Sequence, residues 1–221
     1  MKIKILIPVY NDFQSVSKLL NDINFTIANL KVEFSVIIIN DASIENQDID
    51  VSGIDKINSI KIINMKNNQG HTRCIATGLK YIFEKEEFDY VIPMDGDGED
   101  RPAEIEKFIE FLKYDNSRPI TGERIKRSEG LIFKISYSIH KLITFIFTGH
   151  SIKFGNFTCL PKTTAEKMIN EKATWSSFSG SLAKVEKNRS TIPSIRGSRY
   201  FGPSKMSFFN LIKHSLSIIA V

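Results

Sequence analysis

The segment Asp95–Asp100 holds the residues of this chain whose types and spacing are most suited to chemistry. Asp95 and Asp97 stand one residue apart in a Gly-containing turn, directly after the apolar run Tyr90–Met94. Two carboxylates spaced in this way can both point at one hard divalent cation, which prefers oxygen ligands and keeps positions open for phosphate oxygens. A cation held there would neutralise charge that develops on a departing diphosphate. Taken alone, the pair is weak evidence for a cation site, and a solvated acidic turn is the favoured interpretation.

Three other kinds of site are excluded. An EF-hand would need ligands where this sequence has Arg101, Pro102 and Ala103. Cys74 and Cys159 are too few and too far apart for a disulfide framework or a zinc site, so each is interpreted as a small buried apolar residue.

The distribution of charge separates the chain into two halves. The net charge is +5 over 221 residues, yet residues 1–116 hold 13 Lys and Arg against 20 Asp and Glu, and residues 117–221 hold 17 against 5. An acidic first half argues against a nucleic-acid-binding module. We expect one half to handle cations and the other to face an anionic partner.

Composition and the N-terminal sequence limit the class of protein. With 42% apolar and 25% charged residues, the chain is neither disordered nor a polytopic membrane protein. The start MKIKILIPVYND lacks the apolar stretch of a signal peptide, and no run reaches the roughly 18 apolar residues of a membrane span. The expected location is the cytoplasm.

Alternating strand and helix patterns must position the acidic turn. The runs that predict strands are Ile3–Val9, Phe34–Ile39, Ile60–Ile63 and Tyr90–Met94. Apolar residues at helical spacing lie between Val16 and Leu30, between Ile75 and Phe83, and between Ile105 and Leu112. This order predicts an α/β fold, with a Rossmann-like, mainly parallel central sheet and helices on both faces. Such sheets bind ligands at the carboxyl ends of their strands.

The second half has a less regular pattern. It predicts a strand at Arg118–Gly122, helices at Lys162–Lys172 and Trp175–Asn188, and a basic loop at 194–206. Leu131–Phe147 has the pattern that is more commonly a core helix with two solvated lysines; the alternative is an interfacial helix on an anionic membrane. Residues 206–221 are predicted to be an amphipathic, membrane-proximal segment.

Seven short segments occur along the chain in a fixed order, and the first five lie at or after predicted strands. They are Ile7–Asp12, Ile39–Ser43, Asn67–Arg73, Met94–Asp97, Gly122–Arg124, Gly155–Leu160 and Arg199–Lys205. Together they resemble the family 2 glycosyltransferases with the glycosyltransferase A fold, and within them the polyprenyl-phosphate, dolichyl-phosphate mannosyltransferase-like branch. The resemblance covers nearly the whole chain. It implies a catalytic domain at 1–205, with a nucleotide and metal half at 1–116 and an acceptor half at 117–205.

The resemblance also implies a role for individual residues. The nucleotide-sugar would be bound by Pro8, Tyr10, Asn11, Asn40, Asp41, Arg73, Asp95 and Gly96, and Mg²⁺ or Mn²⁺ by Asp95 and Asp97. The catalytic set would be Asp95, Asp97, Asp100 and Arg124, and the acceptor set Asn156, Arg199, Ser204 and Lys205. Turn formation and helix capping are the alternative roles of Asn40 and Asp41, and an exposed helix position is that of Arg73.

One residue departs from the family pattern. Where the polyprenyl-phosphate branch usually carries Asp, this chain has Asn156, whose amide cannot accept a proton as a general base. Either Asp100 or Glu99 serves as the base, or none is required. A phosphate monoester acceptor fits the second case, because its second pKa of about 6 leaves it largely ionised. Cations that would suit such an acceptor are Arg124, Lys126, Arg127, Arg196, Arg199 and Lys205.

The favoured hypothesis is a metal-dependent, inverting glycosyltransferase. It would pass sugar from a nucleotide-sugar to a polyprenyl phosphate, with peripheral contact at the inner face of the cell membrane and no nucleic-acid partner. The alternatives are transfer to a hydroxyl of a cell-surface polysaccharide and a non-catalytic nucleotide-sugar-binding module. A nicotinamide dehydrogenase is set aside, because Val9–Asp12 lacks the Gly-rich turn that such enzymes need after the first strand.

Overall fold

Continuous β-branched runs form the centre of the sheet. In the computed structural model, which describes residues 1–45, 47–124 and 154–202, the first four strands are β1 (Lys2–Val9), β2 (Glu33–Asn40), β3 (Ile57–Asn64) and β4 (Tyr90–Pro93). They pair in parallel in the order β3-β2-β1-β4. Nearly every residue of β1, β2 and β4 is buried, because both faces of these strands are covered.

Amphipathic helices cover the two faces. They are α1 (Phe13–Ile27), α2 (His71–Lys85), α3 (Ala103–Leu112), α4 (Lys162–Ile169) and α5 (Phe178–Val185), with a 3₁₀ turn at Lys172–Trp175. Apolar residues of α1 and α3 pack with β1 and β2 in one core layer. Those of α2, α4 and α5 form a second layer on the opposite face. The predicted α/β class is therefore confirmed.

The second half completes the sheet with strands of mixed direction. They are β5 (Ile120–Arg124), β6 (Phe154–Pro161) and β7 (Ser190–Ser194), and the order across the described sheet is β3-β2-β1-β4-β6-β5-β7. β6 runs antiparallel to both β4 and β5, and β7 runs parallel to β5. The sequence pattern predicted β5 but neither β6 nor β7.

Two predicted helices are shorter in the structure. The helix predicted at Lys162–Lys172 ends at Ile169, and the one predicted at Trp175–Asn188 begins only at Phe178. A serine explains the later start. The hydroxyl of Ser177 accepts a hydrogen bond from the Gly180 N–H at 3.1 Å and so caps α5.

The strand directions bring the ends of β1, β2, β4 and β5 to one side of the sheet, which we call the carboxyl edge. Because β6 is antiparallel, it is the first residues of β6 that lie at this edge. Several predictions lie outside the described residues: the segments Leu131–Phe147 and 206–221, and the acceptor residues Ser204 and Lys205. None of the helices in the described ranges combines the length and apolar character required to cross a bilayer.

A buried carboxylate joins the sheet to the end of α2. Glu86 follows the last residue of α2 and accepts hydrogen bonds from Lys4 of β1 at 3.0 Å and from Lys61 of β3 at 2.6 Å. The side chains of Glu86 and Lys4 are only 8% and 10% exposed. Burial alone would raise the pKa of Glu86, but the hydrogen bonds and charges of the two lysines lower it overall.

We expect Glu86→Gln to lower the free energy of unfolding at pH 7 by about 2 to 4 kcal/mol. The loss stays below the cost of a fully unpaired buried charge, because the glutamine carbonyl still accepts from Lys4. The pKa of Glu86 is lower in the folded protein than its ordinary value of 4.5. The stabilisation is therefore complete above that value and is lost as the pH falls through the folded-state pKa.

Urea unfolding at pH 7 and at steps down to pH 3 measures this difference. Glu87→Gln is the matched control, since Glu87 pairs with Lys2 on the surface and is 86% exposed. The control should change little at any pH. Equal losses in both variants, or a gap that widens toward acid, would contradict the assignment.

Candidate active site

The acidic loop, Asp95–Asp100, begins where β4 ends and folds back on itself. Asp100 is buried, and its Oδ2 accepts a hydrogen bond from the Asp95 N–H at 2.9 Å. Oδ1 of Asp97 accepts from the Glu99 N–H at 3.0 Å. The turn between them needs Gly98, whose φ is +89°. The loop therefore holds Asp95 and Asp97 together at the carboxyl edge.

Gly96 lets the acidic loop lie directly against the end of β1. A Cβ at this position would lie 3.2 Å from side-chain atoms of Ile7 and Val16 and 3.3 Å from the Pro8 carbonyl oxygen. Larger side chains would push the loop away from β1. The predicted nucleotide residues Pro8 and Gly96 are thus brought together by backbone packing.

Two asparagines stabilise the loops at this edge: Asn11 contacts the loop after β2, and Asn40 contacts that loop and the end of β3. Oδ1 of Asn11 accepts from the N–H groups of Ile44 at 2.9 Å and Glu45 at 3.2 Å. Oδ1 of Asn40 accepts from the Ser43 N–H at 3.0 Å, and its Nδ2 donates to Asn64 at 2.8 Å. Beside them Tyr10 is 39% exposed at the carboxyl edge.

Asp41 shapes the turn before α2. It is 3% exposed, and its two oxygens accept from the N–H groups of Gln69 at 2.7 Å and Gly70 at 2.8 Å. Arg73, one turn into α2, is exposed and donates to the Gln69 side chain at 2.6 Å. Contact of these residues with a nucleotide stays a prediction.

His71 lies against the acidic loop, although the sequence pattern assigned it no role. Its Nε2 is 2.9 Å from Oδ1 of Asp95. Burial of the ring opposes its charged form, but the charge of Asp95 and this hydrogen bond outweigh burial and raise the pKa of His71. The sequence signal for His71 is its position directly after Gly70. The turn at Gly70 follows β3, and β3 ends at the carboxyl edge like the strands before the other predicted site residues.

The residues Arg196–Tyr200, which we call the 196–200 segment, cross the acidic loop. The Arg199 guanidinium donates to the Asp97 carboxylate and, at 2.9 Å, to Oδ2 of Asp12. Arg196 forms an ion pair with Glu99. Two backbone hydrogen bonds join the segment to the loop, from Gly197 to Glu99 at 2.8 Å and from Tyr200 to Asp97 at 2.9 Å.

Tyr200 anchors this segment to α1. Its ring packs on Gly98, where an added Cβ would lie 2.6 Å from a ring carbon, and its hydroxyl donates to Asp22 at 2.6 Å. Burial and the hydrogen bond to Asp22 raise the pKa of Tyr200. Asp12 and Tyr200 occur in the sequence motifs, but no role was predicted for them.

The two remaining predicted residues reach the same edge from the second half. Arg124 is the last residue of β5. Asn156 lies near the start of β6. This strand is antiparallel to β4, with Pro161 opposite Tyr90, so β6 begins at the carboxyl edge and runs away from the acidic loop. Of the predicted acceptor residues, the structure therefore brings Arg199 into contact with the acidic loop and Asn156 to its edge of the sheet.

The electrostatics of the acidic loop fit a cation. Burial and then the charge of Asp95 raise the pKa of Asp97, while Arg199 and Arg196 act in the opposite direction. Burial and the nearby negative charge disfavour the charged form of Asp97, so a cation beside it is stabilising. The Arg199 guanidinium already supplies one such positive charge. Among the described residues no three His, Cys, Asp or Glu side chains form a metal cluster. Two carboxylates suit a cation such as Mg²⁺ or Mn²⁺ that takes its other ligands from phosphate and water.

The seven-stranded, mainly parallel sheet of the described residues has the glycosyltransferase A fold, which it shares with solved glycosyltransferases. One neighbour is glucosyl-3-phosphoglycerate synthase from Mycobacterium tuberculosis, solved with Mn²⁺, UDP-glucose and phosphoglyceric acid. It has a TM-score of 0.71 and 12% identity, over 99% of this chain and 77% of the neighbour. Another is S. aureus TarS 1–349 in complex with UDP-GlcNAc, with a TM-score of 0.56 and 15% identity, over 92% and 60% of the two chains.

Residues 4–178 match the family described as glycosyl transferase family 2. The chain belongs to this family, which confirms the resemblance seen in the motifs. One curated relative is the undecaprenyl-phosphate 4-deoxy-4-formamido-L-arabinose transferase of Salmonella choleraesuis, 27% identical over 218 residues. The alignment covers 96% of this chain, which spans 64% of the length of that relative.

We expect Arg199→Gln to tighten Mn²⁺ binding in the absence of donor by about 2- to 5-fold. The guanidinium competes with a metal for Asp97, and a pair of this kind is worth up to about 1 kcal/mol. Isothermal titration with Mn²⁺ measures the effect. Arg196→Gln is the control, since Arg196 pairs with Glu99 instead and should change the affinity less. Weaker Mn²⁺ binding in Arg199→Gln would show that the guanidinium does not compete for the site.

Proposed function

We propose that this chain is the catalytic domain of a metal-dependent, inverting glycosyltransferase that moves a sugar from a nucleotide-sugar to a polyprenyl phosphate. The observation that carries the proposal is the pairing of Asp95 and Asp97 at the end of β4, with a cationic side chain already in contact with Asp97. Membership of glycosyl transferase family 2 supports the reaction class. The Salmonella relative, a transferase named for undecaprenyl phosphate, supports the acceptor class.

The first half of the chain is suited to the donor. Asp95 and Asp97 would hold a Mg²⁺ or Mn²⁺ ion, which when bound would neutralise the negative charge of the departing diphosphate. Neighbours of the same fold solved with Mn²⁺ and UDP support this choice of ion. Tyr10 and Arg73, both exposed near the carboxyl edge, are the side chains we assign to the base and the phosphates.

The side chains near Asp95 and Asp97 favour an acceptor that needs no general base. Glu99 is paired with Arg196, and Asp100 is buried and accepts the Asp95 N–H, so both side chains are engaged in holding the loop. Asn156 cannot remove a proton. A reaction that needs no general base suits this arrangement, and a phosphate monoester that is already ionised provides one.

This transfer is a single displacement that requires no proton transfer. An oxygen of the acceptor phosphate attacks the anomeric carbon from the face opposite the nucleotide. The bond from that carbon to the diphosphate oxygen breaks, and its electron pair leaves with the nucleoside diphosphate. One displacement inverts the anomeric configuration, and the product is a glycosyl phospholipid.

The basic second half is assigned to the anionic acceptor. Arg196 and Arg199 lie beside the acidic loop, and Arg124 ends a strand at the same edge. Ser204 and Lys205 continue the same sequence motif. Residues 206–221 and Leu131–Phe147 are the segments we assign to peripheral contact with the cytoplasmic face of the membrane.

The double variant Asp95→Asn/Asp97→Asn should lose metal-dependent transfer by about 10³-fold or more, because it removes the charge that holds the cation. The assay follows nucleoside diphosphate release with UDP-, GDP- and dTDP-sugars, with and without Mn²⁺. Asp55→Asn is the control, since Asp55 lies before β3 at the opposite edge of the sheet. Unchanged metal-dependent turnover in the double variant would remove the basis of the proposal.

A second measurement separates the acceptor classes. With the best donor, we expect glycosyl transfer to undecaprenyl phosphate and none to undecaprenol, because only the phosphate is ionised at neutral pH without a base. An oligosaccharide acceptor is tested in parallel. Transfer to the oligosaccharide alone would favour polysaccharide synthesis, and transfer to undecaprenol would contradict the need for an ionised acceptor. Donor binding without transfer to any acceptor would favour a non-catalytic module.

A further inference from the structure

We propose that His71 is a positioning residue that orients the Asp95 carboxylate for the cation, and that the buried carboxylate of Asp41 sets the position of His71. This inference rests on the proposed function, because it assigns Asp95 to a metal. The contact between His71 and Asp95 joins two different loops of the carboxyl edge.

The first step is the turn that presents His71. Asp41, directly after β2, accepts both the Gln69 and the Gly70 N–H, at 2.7 and 2.8 Å, and its own N–H donates to the Val9 carbonyl at 2.9 Å. Gly70 has φ +89°, a conformation that other residues rarely adopt. α2 therefore begins at a defined point, and His71 is its first residue.

The second step is the contact itself. Nε2 of His71 lies 2.9 Å from Oδ1 of Asp95. A carboxylate oxygen accepts, so the imidazole N–H donates, and the hydrogen bond restricts rotation of the carboxylate about its side-chain torsions. The hydrogen bond from the Asp95 N–H to Asp100 restrains the main chain of the same residue. Asp95 is thus held at both its backbone and its side chain.

The third step is the contrast with Asp97. Its partner is the Arg199 guanidinium, a cation that a metal ion must displace or move. His71 offers a single N–H, which can remain on one carboxylate oxygen while a metal binds the carboxylate. The geometry therefore assigns different tasks to the two aspartates: Asp95 keeps its hydrogen bond to His71 when a metal ion binds, whereas Asp97 gives up its contact with Arg199. Hydrogen bonds that orient metal ligands commonly change metal affinity by about 10- to 100-fold.

The test measures Mn²⁺ binding directly, by the electron paramagnetic resonance signal of unbound Mn²⁺, with the full chain and no sugar donor. We expect His71→Ala to weaken binding by about 10-fold. His71→Gln, whose amide can still donate to Asp95, should recover most of it. Thr72→Ala, one residue along α2, is the matched control and should bind as the wild type does.

Kinetics provide a second readout that general loss of structure would not produce. In His71→Ala the KM for Mn²⁺ should rise by about 10-fold, while kcat at saturating Mn²⁺ changes by less than about 3-fold. Asp41→Asn, which replaces one of the two accepting oxygens by a donor, should likewise weaken Mn²⁺ binding in the electron paramagnetic resonance measurement without donor.

Each outcome decides the inference. Wild-type Mn²⁺ affinity in His71→Ala, or a His71→Gln variant as weak as His71→Ala, would overturn it while leaving the proposed function intact. If the wild-type chain binds no Mn²⁺ with or without UDP, the metal assignment of Asp95 and Asp97 is wrong, and the role of His71 is overturned with it.

Discussion

The concentration of negative charge at the end of β4 is the constraint on which the rest of the site depends. Asp95, Asp97 and Asp100 fall within six residues, and Asp12 approaches them from the end of β1. Partly buried carboxylates at such short range repel one another, so a stable fold must place cations among them. Arg199 is placed between Asp97 and Asp12, and Arg196 beside Glu99. The carboxylates of Asp97 and Glu99 thereby hold the 196–200 segment over the acidic loop, and Asp97 is also one of the two carboxylates proposed to bind the metal ion.

Acidic residues that look alike in the sequence have different tasks in this fold. Asp41 and Asp100 are buried, and backbone N–H groups donate to both oxygens of Asp41 and to Oδ2 of Asp100, so these two carboxylates stabilise the shape of two loops. Asp95 and Asp97 are partly exposed, and side chains from other elements contact them. The buried aspartates accept hydrogen bonds from backbone N–H groups that the sharp turns of these loops would otherwise leave unpaired. The two loops can therefore present Asp95 and the residues that contact it.

The mixed direction of the sheet links the two halves of the chain. If β6 were parallel to β4, its first residues, including Asn156, would lie at the opposite edge from the acidic loop. The antiparallel pairing brings Asn156 and the end of β5 to the carboxyl edge. Residues from the second half of the chain are thus placed beside the acidic loop of the first half.

The sequence by itself determined the α/β class, the first four strands and the acidic loop at the end of β4, because buried apolar runs and a Gly-containing carboxylate turn are local patterns. It also identified the family, since seven short motifs keep their order. The strands β6 and β7, the contact of His71 with Asp95 and the placement of Arg199 between Asp97 and Asp12 were decided only by the tertiary structure. These contacts join residues up to 187 positions apart. No periodicity of side chains along the chain encodes such partners, because strand pairing and charge compensation depend on which elements the whole fold brings together.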